Sequence, residues 1–156
     1  VVLEVGTGTG GLTARLAPLA AAVVTVELDP RLYQLASEEL VDCDNVTMLH
    51  QDVLRNKNNL HPAVLQRIRM RIEAGRSQSI PVGMCGEIAG DPRYTRLLLG
   101  MGLTAFSMHH TSLQAVKRVI NQSSIRELAP QVDALLQCTD HADLLGRLAA
   151  INQSIH

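Results

Sequence analysis

Aromatic side chains are nearly missing from these 156 residues: there is no Trp, one Phe and two Tyr. That argues against single-stranded nucleic-acid binding on an aromatic stacking platform, and it forces the core to be built from Leu, Val, Ile and Ala. A dominant charge sign is missing as well. Fourteen Lys and Arg against fifteen Asp and Glu leave a formal net charge of −1, so no global field draws in a polyanion. The three cysteines, Cys43, Cys85 and Cys138, lie far apart with no C-x-x-C pair. Neither a disulfide framework nor a zinc site is expected, and a reducing, cytoplasmic setting suits them. No run approaches the ~20 apolar residues of a membrane span, and no signal peptide is visible. The chain opens directly on Val1 without an initiator Met, as expected of a fragment of a longer sequence.

What is present points to a folded domain. Hydrophobic residues make up 46% and charged residues 19% of the chain, a globular balance, and 1–156 is expected to form a single α/β domain. Short apolar, β-branched runs at Val1–Val5, Val23–Glu27, Val46–Leu49, Ile80–Cys85 and Ala105–Met108 read as strands buried on both faces. Between them, apolar residues recur at helical spacing: Leu12–Leu19, then Leu32, Leu35, Ala36 and Leu40. The pattern resumes at Val64, Leu65, Ile68 and Ile72, at Tyr94, Leu97, Leu98 and Met101, and at Leu113, Val116 and Ile120. Asp29-Pro30 and Asp91-Pro92 are good helix starts, Asp as N-cap and Pro at the first helical position. The segment Arg55–His61 is polar and reads as a loop. Beyond Ser123 the pattern is helical to the end, with Pro130 expected to split or kink the first helix. Strict βα alternation predicts a parallel sheet covered on both faces. Five strands are too few to close an eight-stranded barrel, so the expected fold is an open, doubly wound, Rossmann-like sheet with a helical C-terminus.

The strongest motif is the turn Glu4-Val5-Gly6-Thr7-Gly8-Thr9-Gly10-Gly11 between strand one and helix one. Glycines there permit φ > 0 and let backbone approach a ligand closely. An acid, Glu27, ends the second strand seventeen residues after Gly10, where a carboxylate can take ribose hydroxyls. A dinucleotide fingerprint would read G-x-G-x-x-G; this turn reads E-x-G-x-G-x-G, with the acid inside the strand. That pattern resembles the class I methyltransferases. The longer run VVLEVGTGTGGLT, VVTVELDPRL and NVTMLHQDVL is similar to the rRNA adenine N6-dimethyltransferases over about residues 1–60. The resemblance implies S-adenosylmethionine as cofactor. It places Glu4, Gly6, Gly8 and Gly10 at the methionine moiety, Glu27 on the ribose and Asp52 at the adenine amino group. The family's Asn-Leu-Pro-Tyr-type tetrad at the end of strand four is replaced by Ile80-Pro81-Val82-Gly83-Met84-Cys85-Gly86-Glu87, so the adenine-acceptor side is not expected to work.

A second resemblance begins near residue 60. The stretch IPVGMCGEIAGDPRYTRLLLGMGLTAFSM, with LHPAVLQRI before it and SLQAVKRVI after it, looks like the end of enzyme I of the bacterial sugar phosphotransferase system. In that family it forms the last βα units of a phosphoenolpyruvate-binding TIM barrel, and the cysteine of Cys-Gly-Glu, here Cys85, donates a proton to the enolpyruvate carbon. Two readings of Cys85 stand: that proton donor, or a small buried hydrophobe. The family's magnesium carboxylates and phosphate-binding arginines lie upstream of this stretch, so Mg2+ is not expected and no metal site is assigned. His109-His110, Cys43 and Cys138 have no partner at metal or catalytic spacing. The basic stretch Arg55, Lys57, Arg67, Arg69, Arg71 and Arg76 reads as a solvated helix face.

The combined expectation is a recombined domain, 1–60 from one source and 61–156 from another, joined within 55–62. Its expected partner is a small adenosyl ligand, with neither RNA nor a membrane among its targets. Two function classes lead, an adenosyl-binding module without turnover and a structural domain whose site residues are relics; methyl transfer to RNA and phosphoryl transfer from phosphoenolpyruvate rank third and fourth.

Overall fold

The computed structural model describes residues 1–52, 54–56, 59–60, 62–138 and 140–153. Seven strands and seven helices follow one another among them. Five strands, β1 (Val2–Val5), β2 (Val23–Glu27), β3 (Val46–His50), β6 (Gly83–Gly86) and β7 (Ala105–Ser107), form one sheet in the order β3-β2-β1-β6-β7. Every pairing in it is parallel. The chain runs outward from β1 to β3, returns over the sheet and runs outward again through β6 and β7, leaving a topological switch between β1 and β6. This is the open, doubly wound α/β fold, and the sheet holds strands from both resembled segments.

The join between those segments is a complete ladder. Val2 pairs with Gly83, Leu3 with Met84, Glu4 with Cys85 and Val5 with Gly86. A Cβ built on Gly86 would stand 2.4 Å from the Val5 carbonyl oxygen, and its φ is +98°. Only glycine lets the end of β6 come that close to β1.

Strand periodicity then divides the side chains. Leu3, Val24, Val26 and Met84 share one face. They are buried in one cluster with Val64, Leu65, Ile68 and Ile72 of α3 (Pro62–Ser77) and with Leu97, Leu98 and Met101 of α4 (Pro92–Gly100). Val132 and Leu135 of α6 (Ile125–Leu136) and Ile151 of α7 (His141–Gln153) complete it. This aliphatic cluster draws on both resembled segments. The opposite face carries Glu4 and Thr25 under α1 (Gly11–Leu16), beside α2 (Pro30–Glu39). The last long helix, α5 (His110–Asn121), buries Val116.

Several elements differ from the sequence expectation. The fourth core strand begins at Gly83, not Ile80. The end of α3 takes the Ile80 N–H onto the Gly75 carbonyl at 2.8 Å, and Ser79 turns the chain with φ 55°. Pro81 has no N–H to offer the ladder, so pairing starts at Gly83 N–H to Val1 O, 3.0 Å. Helix one stops at Leu16 and tightens into a 3-10 turn over Ala17–Leu19, with Pro18 inside it. Within the expected loop 55–61, β4 (Leu54–Asn56) pairs antiparallel with β5 (Asn59–Leu60); Lys57, Asn58 and His61 lie outside the described residues. Helix α6 runs through Pro130 without being split. Among the described residues no helix is long and apolar enough to cross a membrane.

Candidate functional site

At the carboxyl end of β1 the chain must turn sharply into α1, and three glycines with positive φ do this: Gly6 (87°), Gly8 (59°) and Gly10 (87°). Gly10 is also a packing position, because a Cβ there would sit 3.1 Å from the Ala36 backbone of α2. Nothing lies within 4 Å of a Cβ built on Gly6 or Gly8, so the turn presents bare backbone to open space.

Glu27 organises this turn from the end of β2. The residue is 8% exposed. Oε2 accepts the Gly8 N–H at 2.8 Å, and Oε1 accepts the Leu28 and Asp29 N–H groups at 2.9 Å each. Three charge-assisted bonds from backbone thus tie the glycine turn to the turn before α2. Asp29 in turn caps α2 by accepting from Arg31 and Leu32 N–H. A carboxylate has about four lone-pair positions, which leaves one acceptor position on Oε2 outside these bonds.

Gly6, Glu27 and Asp52 meet at one cleft at the switch between β1 and β6, the place where open α/β sheets hold ligands. Its volume is about 230 Å³, and Val5, Val26, the exposed Leu28 and Tyr94 add apolar wall. The loop after β6 and the start of α4 supply Glu87, Asp91 and Arg93. Asp91 caps α4 by accepting the Arg93 N–H at 2.9 Å, and the Arg93 guanidinium grips both its carboxylate oxygens at 2.6–3.0 Å. Burial alone would lift the Asp91 carboxyl, but these bonds and the Arg93 charge outweigh it and hold the group below the usual carboxylate range. Burial pushes the Tyr94 phenol up. Among the described residues, four carboxylates and one guanidinium line the cleft.

The remaining sequence candidates stand apart from that cleft. Glu4 is 3% exposed beneath it, and its Oε2 accepts Thr13 Oγ1 at 2.5 Å and Thr25 Oγ1 at 2.7 Å, while Thr7 bonds Thr25 at 2.6 Å. This chain of hydroxyls gives the buried acid its hydrogen bonds and anchors α1 to β1 and β2. Gly8 reaches the cleft through Glu27, and Gly10 supports α1. Cys85 lies in a neighbouring cavity of about 480 Å³, with Leu12, Ser107, His109 and Ser112; Glu87 borders both spaces. Burial, and then the Glu4 charge, push the Cys85 thiol up to about 11. It can hand over a proton but holds almost no thiolate near neutrality. His109 caps α5 through Thr111, and no three His, Cys, Asp or Glu converge as metal ligands among the described residues.

Arg93, Glu87 and Tyr94 are not legible in sequence as part of this cleft, since only the β1–β6 pairing brings them to the glycine turn. Thr25 carried a usable signal: it is a hydroxyl in the middle of the buried strand VVTVE, in ladder register with Glu4.

Comparison with known proteins matches this two-part build. The family model for ribosomal RNA adenine dimethylase matches residues 1–73. That for the PEP-utilising enzyme, PEP-binding domain, matches residues 40–125; the overlap, 40–73, includes 55–62. The phosphoenolpyruvate-protein phosphotransferase of Cupriavidus necator is 51% identical over 81 residues, 52% of this chain and 14% of that protein. That of Haemophilus influenzae is 40% identical over 87 residues, 56% and 15%. That of Staphylococcus epidermidis is 34% identical over 120 residues, 75% and 19%. The chain thus spans 14–19% of the length of these curated relatives. A solved Galdieria sulphuraria chain described as a sarcosine dimethylglycine methyltransferase superposes on 96% of this chain and 69% of its own at TM-score 0.35 and 12% identity, too loosely for fold or function to follow. With just over half of its residues, 40–125, matched by that model, this chain belongs to the PEP-utilising enzyme, PEP-binding domain family, and its opening segment matches ribosomal RNA adenine dimethylase.

Proposed function

We propose that the chain is an adenosyl-ligand-binding α/β module that holds S-adenosylmethionine or its product without turning either over. One observation carries the reading: Gly6, Glu27 and Asp52, assigned to the cofactor by one resemblance, line a single cleft at the carboxyl edge of the sheet. In this reading Glu27 uses its remaining acceptor position on the ribose diol, Asp52 takes the adenine amino group, and Leu28 gives the base an apolar contact. The cofactor's chemistry is a methyl group activated on sulfur. Methyl transfer also needs an acceptor held in line at near-attack distance, and β6 carries Gly83-Met84-Cys85-Gly86 where the resembled family keeps its adenine-gripping tetrad. Cys85 supplies at most a proton, so phosphoryl transfer from phosphoenolpyruvate, which needs metal-bridged phosphate oxygens and an acceptor, is not expected either.

A cytoplasmic adenosyl metabolite is therefore the proposed partner; the −1 net charge and the scarcity of aromatics argue against RNA. The competing reading is a purely structural domain. It is favoured by the three backbone N–H groups that already occupy Glu27, and by a cleft smaller than the ~300–1,000 Å³ usual for ligand sites. Calorimetric titration with S-adenosylhomocysteine separates the two. Saturable heat with micromolar or weaker affinity is expected, and a flat titration at millimolar ligand leaves the structural reading standing.

A further inference from the structure

Resting on the adenosyl reading above, we propose that Arg93 is the carboxylate-binding end of this cleft and makes it selective for adenosyl ligands that carry an amino-acid tail. Glu27 and Asp52 stand at the ends of β2 and β3, whereas Arg93 enters from the other side of β1, on the α4 turn that follows β6. From β2 across β1 to β6 is two strand spacings, about 9.5 Å, a span suited to an aminocarboxypropyl chain extending from a ribose at Glu27.

Charge decides what can lie along that span. Arg93 is the one cation lining the cleft among the described residues, against Glu27, Asp52, Glu87 and Asp91. Among the lining side chains only Arg93 attracts a ligand carboxylate, its pull moderated by the Asp91 pair, and a pyrophosphate crossing the cleft would meet carboxylates along its length. Arg93 is also held ready. Its Nε bonds both Asp91 oxygens at 2.9–3.0 Å and its Nη2 bonds Oδ2 at 2.6 Å, while Cζ stands 5.6 Å from the centroid of the Tyr94 ring. The Asp91 contacts use the Nε–H and one Nη2 N–H, and Nη1 has no hydrogen bond among the described residues, so three of the five guanidinium N–H donors remain for a ligand. Because the planar fork is already oriented, little side-chain freedom is lost on binding. Its side chain is 59% exposed, so water screens the contact and moderates its strength.

The test is calorimetry on the full chain with two probes that share the adenosine and thioether: S-adenosylhomocysteine, with the amino-acid tail, and 5′-methylthioadenosine, without it. The parent should prefer S-adenosylhomocysteine by about tenfold, the scale of one partly screened charge-assisted contact. In Arg93→Gln that ratio should fall close to one, with Arg93→Lys between. A ratio near one in the parent, or a ratio unchanged in Arg93→Gln because both ligands weaken equally or neither does, overturns the assignment while the adenosyl reading survives. Absence of binding by either probe to the parent removes both together.

Discussion

Replacing Glu27 by Ala should loosen the glycine turn before it affects any ligand. The carboxylate accepts three backbone N–H groups, from Gly8, Leu28 and Asp29, at 2.8–2.9 Å. Leu28 and Asp29 are exposed, so water can replace those two bonds at little cost. Gly8 is half-buried, and its N–H loses a charged acceptor, a change of about 1.5–3 kcal/mol. A loss of about 2 kcal/mol lowers the unfolding midpoint of a chain this size by about 4–8 °C. Differential scanning calorimetry reads the midpoint, and titration with S-adenosylhomocysteine reads the site, where binding should weaken at least ~10-fold. A midpoint within about 1 °C of the parent would refute Glu27 as the organiser of the turn. A lowered midpoint with unchanged affinity would leave it a structural residue and remove it from the binding site.

Gly86→Val adds a Cβ 2.4 Å from the Val5 carbonyl at φ +98°, so the β1–β6 seam should lose at least about 1–3 kcal/mol from backbone strain alone; thermal unfolding indistinguishable from the parent would contradict the ladder. Cys85, with its thiol pushed from 9.0 to about 11, should carry about a hundredth of the thiolate of an ordinary cysteine near neutrality, and iodoacetamide should label it that much more slowly; labelling at the rate of a free thiol would mean the site is open. Since the folded state holds the Cys85 proton more tightly than the unfolded chain, the stability it contributes is fully present below about pH 9 and lost as pH rises toward about 11. Labelled S-adenosylmethionine with unmethylated small-subunit rRNA, and labelled phosphoenolpyruvate with magnesium, should leave RNA and protein unlabelled; label above that of a Glu27→Ala, Cys85→Ala double variant would overturn the account of a site without turnover.

Local chemistry made much of the fold readable. β2 occupies Val23–Glu27 as its apolar run implies, and Asp29-Pro30 and Asp91-Pro92 start helices because the caps are short-range devices. Strand four was legible in type but not in start, since the α3 end that captures the Ile80 N–H is a tertiary feature that hydrophobicity does not encode. The short β4–β5 pair was hidden because Arg55–Leu60 is polar and lacks alternation. Gly6, Glu27 and Asp52 could be placed together because parallel order brings the carboxyl ends of β1, β2 and β3 to one edge. Arg93 could not, because its place depends on β6 pairing with β1 across the seam, and nothing local to Asp91-Pro92-Arg93 signals more than a helix cap.

If one cleft built from both segments holds an adenosyl ligand, backbone amide resonances should report it as S-adenosylhomocysteine is added to the labelled chain. Saturable shifts should be confined to Gly6, Gly8, Leu28, Asp52 and the Asp91–Tyr94 turn. They should trace one binding curve across residues on both sides of the β1–β6 pairing. Spectra unchanged at millimolar ligand, or shifts only around the Cys85 cavity at Ser107–Ser112, would contradict it.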